Sequence, residues 1–141
     1  MNKNTLFGIL NFSERTDVIH LGEQLGEKYN VVLIKKPHKT LVMLKVRESA
    51  RNSLFYAGEA LACECMVKLG DNKGFAASLG DDPEKVYAMA VIDAVLNSNL
   101  PEAAFIIKSL NEWESKIKEK RALESALIMS TKVNFNVMEE Q

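Results

Sequence analysis

A chain of 141 residues with 18 basic and 19 acidic side chains, net charge -1, offers no electrostatic case for nucleic acid or for an anionic membrane surface. Its length and its 47% hydrophobic content suit one globular domain, residues 1–141, able to bury a core without metal or disulfide staples. No apolar run is long enough to span a bilayer, and Met1-Asn2-Lys3-Asn4 leads into only a short apolar patch with no cleavage site, so a cytoplasmic location is expected.

Leu6 to Asn11 reads as a short first helix, and Ser13 as the N-cap of a second, along which Val18, Leu21 and Leu25 recur at helical spacing. Gly22 and Gly26 weaken that second helix. Val31 to Ile34 reads as a strand that Lys35-Lys36-Pro37-His38-Lys39 breaks, since proline cannot donate to a ladder. Thr40 to Val46 is a further strand, apolar at nearly every position, which implies cover on both faces or a partner on one of them. The main strand follows from Phe55, with Leu61, Cys63, Cys65, Val67 and Leu69 on one face and Glu64 and Lys68 on the other. Asp71-Asn72-Lys73-Gly74 has the chemistry of a slightly long hairpin loop, and Phe75, Ala77 and Leu79 are expected on the buried side of the return strand.

Asp81 or Asp82 caps the next helix, with Pro83 in its first turn; from Val86 to Leu96 it is apolar almost all round, hence deeply packed. Asn97-Ser98-Asn99 ends it. A long helix then starts at Leu100-Pro101-Glu102, with Ile106, Leu110, Trp113 and Ile117 as its stripe and Glu112/Lys116 and Glu114/Lys118 as favourable pairs four apart. It is expected to reach about Ser130. In residues 131–141, Val133, Phe135 and Val137 alternate with Asn134 and Asn136, which predicts a strand-like tail that either docks on a partner or completes this chain's own sheet. The sum is an α+β fold: a mainly antiparallel central sheet with N-terminal and C-terminal helices packed on it.

Nucleophile motifs are missing, and His20 and His38 lie in different elements without ligand-like spacing. Cys63 and Cys65 point the same way from one strand, so they read as two small buried hydrophobes rather than as half of a metal site. Glu59 falls by strict alternation on the face of Leu61 and Cys63; it is either paired, catalytic, or turned to water by a bulge at Gly58. Asp93 falls between Lys85 and Asn97 on the helical wheel, which suits a solvated or hydrogen-bonded group better than a catalytic one. The helix start at Gly80-Asp81-Asp82-Pro83 is a natural anion site, but its two aspartates favour capping. Arg47 and Arg51 could contact a phosphorylated ligand or simply be solvated.

Phe55-Tyr56-Ala57-Gly58-Glu59, Glu64, Gly74-Phe75-Ala76, Leu79-Gly80-Asp81-Asp82, Val91-Ile92-Asp93-Ala94 and Val133-Asn134-Phe135, in that order, resemble the G subunit of the carbon–phosphorus lyase (phosphonate breakdown) system. The likeness covers the centre well, the tail loosely and the first 50 residues mainly in helix placement. It departs where the family usually has Gly-Arg-Asp and this chain has Gly80-Asp81-Asp82, and where Cys63 replaces a usual threonine.

The resemblance implies a subunit that assembles with the H, I and J subunits. With them it would support transfer of a phosphonate to the ribose C1 of ATP or GTP, releasing the base and giving α-D-ribose 1-phosphonate 5-triphosphate. Base displacement would belong to the I subunit, and carbon–phosphorus cleavage with an iron–sulfur cluster to the J subunit. No cofactor and no catalytic or metal residue is then expected in this chain; the nucleoside triphosphate is a co-substrate of the complex. A homodimer inside a larger hetero-oligomer is compatible with this. The competing readings are a self-associating interaction module without catalytic role, and an independent enzyme using Glu59 and Asp93.

Overall fold

The computed structural model describes residues 2–47 and 54–140, with side chains in 2–43 and 58–127. Its elements in order are α1 (Lys3–Phe12), α2 (Arg15–Lys28), β1 (Val32–Arg47), β2 (Leu54–Leu69), β3 (Asn72–Leu79), α3 (Pro83–Asn97) and α4 (Glu102–Glu140). The chain forms two compact units, one of Glu14–Ile106 and one of Met1–Ser13 with Ile107–Gln141.

The first unit is built on an antiparallel three-stranded sheet in the order β1-β2-β3. The helix that lies on it is α3, and α2 packs on α3. Asp82 starts α3 by accepting from the Lys85 N–H at 3.3 Å, and Pro83 occupies a first-turn position whose N–H has no helical partner to lose. Because strands lie below α3 and α2 lies against it, Val86 and every residue from Ala88 to Val95 are buried.

Small residues set the spacing of these layers. A Cβ on Gly22 would stand 2.5 Å from Ala88 Cβ, so the glycine read as a helix weakener lets α2 approach α3 closely. On β3 the inward residues are Gly74 and Ala76, while Phe75 and Leu79 are exposed, which reverses the expected phase of this strand. The reason is that α3 rests on the strand backbone, so closely at Gly74 that even a Cβ would meet the Ala90 carbonyl and Ala94. The hairpin is also tighter than expected: Leu69 pairs with Asn72, so Gly70 and Asp71 alone make the turn.

Asp93 and Asn97 tie α3 to the open edge of β3. The Phe75 N–H donates to Asp93 Oδ2 at 3.0 Å, and Asn97 Nδ2 donates to the Lys73 carbonyl at 2.8 Å and lies 3.4 Å from Asp93 Oδ2. Two side chains thus satisfy backbone groups that another strand could otherwise have paired, a device that blunts a sheet edge. Asp93→Ala is expected to lose about 1 kcal/mol, because it removes the acceptor of the part-buried Phe75 N–H, while Asp93→Asn, which keeps an acceptor, loses less. Urea denaturation of the two variants beside the parent chain measures this.

The expected break at Pro37 is absent. Val32 to Arg47 is one strand, and the irregular register between Leu33 and His38 absorbs the proline, which β1 tolerates as an edge strand. Ser13 closes α1 instead of opening α2: its N–H and its hydroxyl both donate to the Ile9 carbonyl, at 2.9 and 2.5 Å, while Glu14 occupies the N-cap of α2 without a side-chain bond. Lys28 and Tyr29 both donate to Glu102, and the Lys28 ammonium holds that carboxyl below its usual range.

In the second unit α1 buries Leu6, Ile9 and Leu10, and α4 buries Leu110, with Trp113 and Ile117 half-buried. Glu114 and Lys118 pair at 3.2 Å as their spacing predicts. The strand-like tail is not found: residues 131–140 continue α4. A helix already running through a stretch rich in lysine, glutamate, alanine and leucine extends without a new nucleation cost, and Val133 and Val137 are as well spaced for a helix as for a strand.

Candidate docking surface

β3 pairs with β2 only over Ala62 to Leu69, and the Gly80 N–H just after it donates to the Leu61 carbonyl at 2.9 Å; from Ala60 back to Leu54, β2 has β1 as its sole strand partner among the described residues. The two longer strands therefore continue past β3 as a ribbon. Directly opposed residues share a face, so Leu41 with Leu61 and Met43 with Glu59 continue the face that carries Cys63 and Cys65. Cover by α3 ends between Cys63, 1% exposed, and Leu61, 42% exposed; beyond it Leu41 is 64% and Met43 59% exposed. Val42, on the opposite face, is 37% exposed. The apolar run Leu41-Val42-Met43 is thus not explained by cover from among the described residues.

Gly58 and Glu59 border this patch. Leu44 pairs with Gly58 and Lys45 with Tyr56, leaving Ala57 unopposed, and Gly58 has φ 148°, a backbone conformation that side chains other than glycine's rarely tolerate. The bulge anticipated there is present, and Glu59 is exposed and pairs with no cation among the described residues. Asp93 lies elsewhere, on α3, 4% exposed and bonded to β3, so the structure does not bring Glu59 and Asp93 together. Phe55 belongs to β2 and Val133, Phe135 and Val137 to α4, but their side chains lie outside the described residues, as does that of Arg47; Arg51 lies outside them altogether.

The other candidate groups have local tasks. Arg15 donates to Asp82 and to Glu84, each at 2.9 Å, and these two carboxylates raise its pKa. Lys39 meets Asp81 at 3.2 Å. The start of α3 is therefore a capped and paired terminus, as its two aspartates suggested. His38 faces Glu64 at 3.5 Å, and His20 is exposed. Burial pushes the Cys63 thiol up and the Cys65 thiol up to about 11, so both stay protonated near neutrality, and the Cys65 thiol lies 3.5 Å from the Lys35 carbonyl. No group of three or more metal-binding side chains occurs among the described residues, and no helix among them is long and apolar enough to cross a membrane.

What the ribbon can do chemically is bury apolar area against another surface, with Glu59 at its border as a charged contact. Sequence reasoning singled out Glu59 but not Leu41, Met43 and Leu61; the signal available was a strand too apolar for an edge. A family model described as phosphonate metabolism protein PhnG matches residues 1–139. No curated protein matches the chain.

Proposed function

The chain belongs to the PhnG family of phosphonate metabolism proteins, and from that premise we propose that it is an accessory subunit of the carbon–phosphorus lyase core complex. In this reading it binds the H, I and J subunits in the cytoplasm and supports transfer of a phosphonate to the ribose C1 of ATP or GTP. The base leaves and α-D-ribose 1-phosphonate 5-triphosphate forms. The partners carry the reacting groups and the iron–sulfur cluster, and this chain shapes or holds their assembly.

The observation that supports the reading is the ribbon, whose Leu41, Met43 and Leu61 stand 42% to 64% exposed on the face that buries Cys63, Cys65 and Val67 further along β2. Apolar residues grouped in this way are a common mark of a protein interface. The end of α4, residues 131–141, is read as a second docking element, in helical rather than strand form up to Glu140. Co-expression with the H, I and J subunits is expected to yield a complex that survives size-exclusion chromatography and forms the triphosphate product. A chain that elutes alone, or as a homodimer indifferent to those subunits, would refute the reading; the latter result would favour a self-associating module.

A further inference from the structure

Gly8 sits in the middle of α1, where glycine is less favourable than alanine. Neither of the usual reasons for a glycine applies to it. Its φ is not positive, and a Cβ built on it meets nothing within 4 Å. Gly26 also has open space around it, but lies in the last turn of α2, where the penalty is small. Gly8 instead lines a groove of about 290 Å³ between α1 and α4, with Ile9, Phe12 and Ile117 as apolar lining and Lys118 and Arg121 at its rim. The two rim cations differ. Lys118 is paired with Glu114, whereas Arg121 stacks on the Phe12 ring, 4.7 Å from its centroid, and no carboxylate among the described residues pairs with it.

We propose that this groove receives a partner subunit: an apolar side chain of the partner seats over Gly8, and a carboxylate next to it meets Arg121. Three features point to this occupant. The missing Cβ keeps open space that the chain's own packing does not use. Phe12, 67% exposed, leaves the groove an open trough, which suits a protruding side chain better than a small molecule that must be enclosed. The guanidinium, pre-positioned on an aromatic ring, supplies the charge that selects an acidic neighbour. The inference rests on the accessory-subunit reading and adds to it a contact on the second compact unit, separate from the ribbon.

The test is titration of the full chain with the co-purified H, I and J subunits, using Gly8→Leu and Arg121→Glu. Gly8→Leu fills the trough and removes a helix-weakening glycine. It is expected to raise the melting temperature by about 3 °C and to weaken partner binding more than tenfold. Arg121→Glu is expected to weaken binding at least tenfold without lowering the melting temperature by more than about 2 °C. Gain of stability with loss of binding is a combination that a purely structural glycine does not produce. Undiminished binding by both variants, with the parent chain binding normally, overturns the groove assignment alone. A parent chain that binds none of these subunits overturns the accessory reading and the groove together. A parent homodimer that Gly8→Leu abolishes assigns the groove to a second copy and overturns the proposal.

Discussion

Gly74→Ala is expected to cost about 3 kcal/mol of stability and to lower the melting temperature by about 10 °C. The new Cβ would fall 2.2 Å from the Ala90 carbonyl oxygen and 2.6 Å from both the Ala94 N and its Cβ. None of these is the tip of a flexible side chain that can turn aside. To make room, α3 has to lift from β3, and the same helix carries the Asp93 and Asn97 bonds to the strand edge. Replacing glycine by alanine also restricts the unfolded chain, a gain of about 0.4–1 kcal/mol that is too small to offset the clash. The contrast with Gly8 is the control, since there the added carbon meets open space and only the gain remains. Thermal melts of the two alanine variants, followed by circular dichroism, should move in opposite directions. A Gly74→Ala chain as stable as its parent would mean that α3 does not rest on the strand backbone.

The same residue shows where the sequence stopped being legible. The start of α3 at Asp82-Pro83, its apolar girth and the burial of Ile106 and Leu110 follow from local rules, and each is found. The phase of β3 does not follow from them. Ranking side chains by hydrophobicity turns Phe75 and Leu79 inward, but what selects the inward set is the clearance under α3, a tertiary quantity that admits only Gly74 and Ala76. Pro37 misled for a related reason. A proline excludes a central strand, and whether a strand is central or at an edge depends on the sheet order, which no local pattern reports. Along the tail the alternation of Val133, Phe135 and Val137 was real, but the helix entering it from Glu102 decided the outcome. Of the candidate site, Glu59 and the Gly58 bulge were readable; the apolar patch was not, because which part of a long strand lacks cover depends on where β3 and α3 end.

The ribbon carries the second large expectation. A chain with Leu41→Lys and Leu61→Glu together should fold with a melting temperature within about 2 °C of the parent, yet bind the H, I and J subunits at least a hundredfold more weakly. Folding should be spared because Leu41 is 64% and Leu61 42% exposed already, and because the two residues face each other across the strands, so the new charges form an opposed pair that offsets the lost β-propensity. Binding should suffer because an apolar contact is replaced by two ions that must shed water to enter the interface, a cost of several kcal/mol per ion that the attraction within the pair repays only in part. The position of Glu59 adds a second check. It borders the patch with no cation beside it among the described residues, so Glu59→Lys alone should slow association and alter its salt dependence more than it changes dissociation, as rim charges do. Binding kinetics at two salt concentrations separate these effects. If the doubly charged ribbon binds as tightly as the parent, the partners do not use this surface, and its exposed leucines need another explanation.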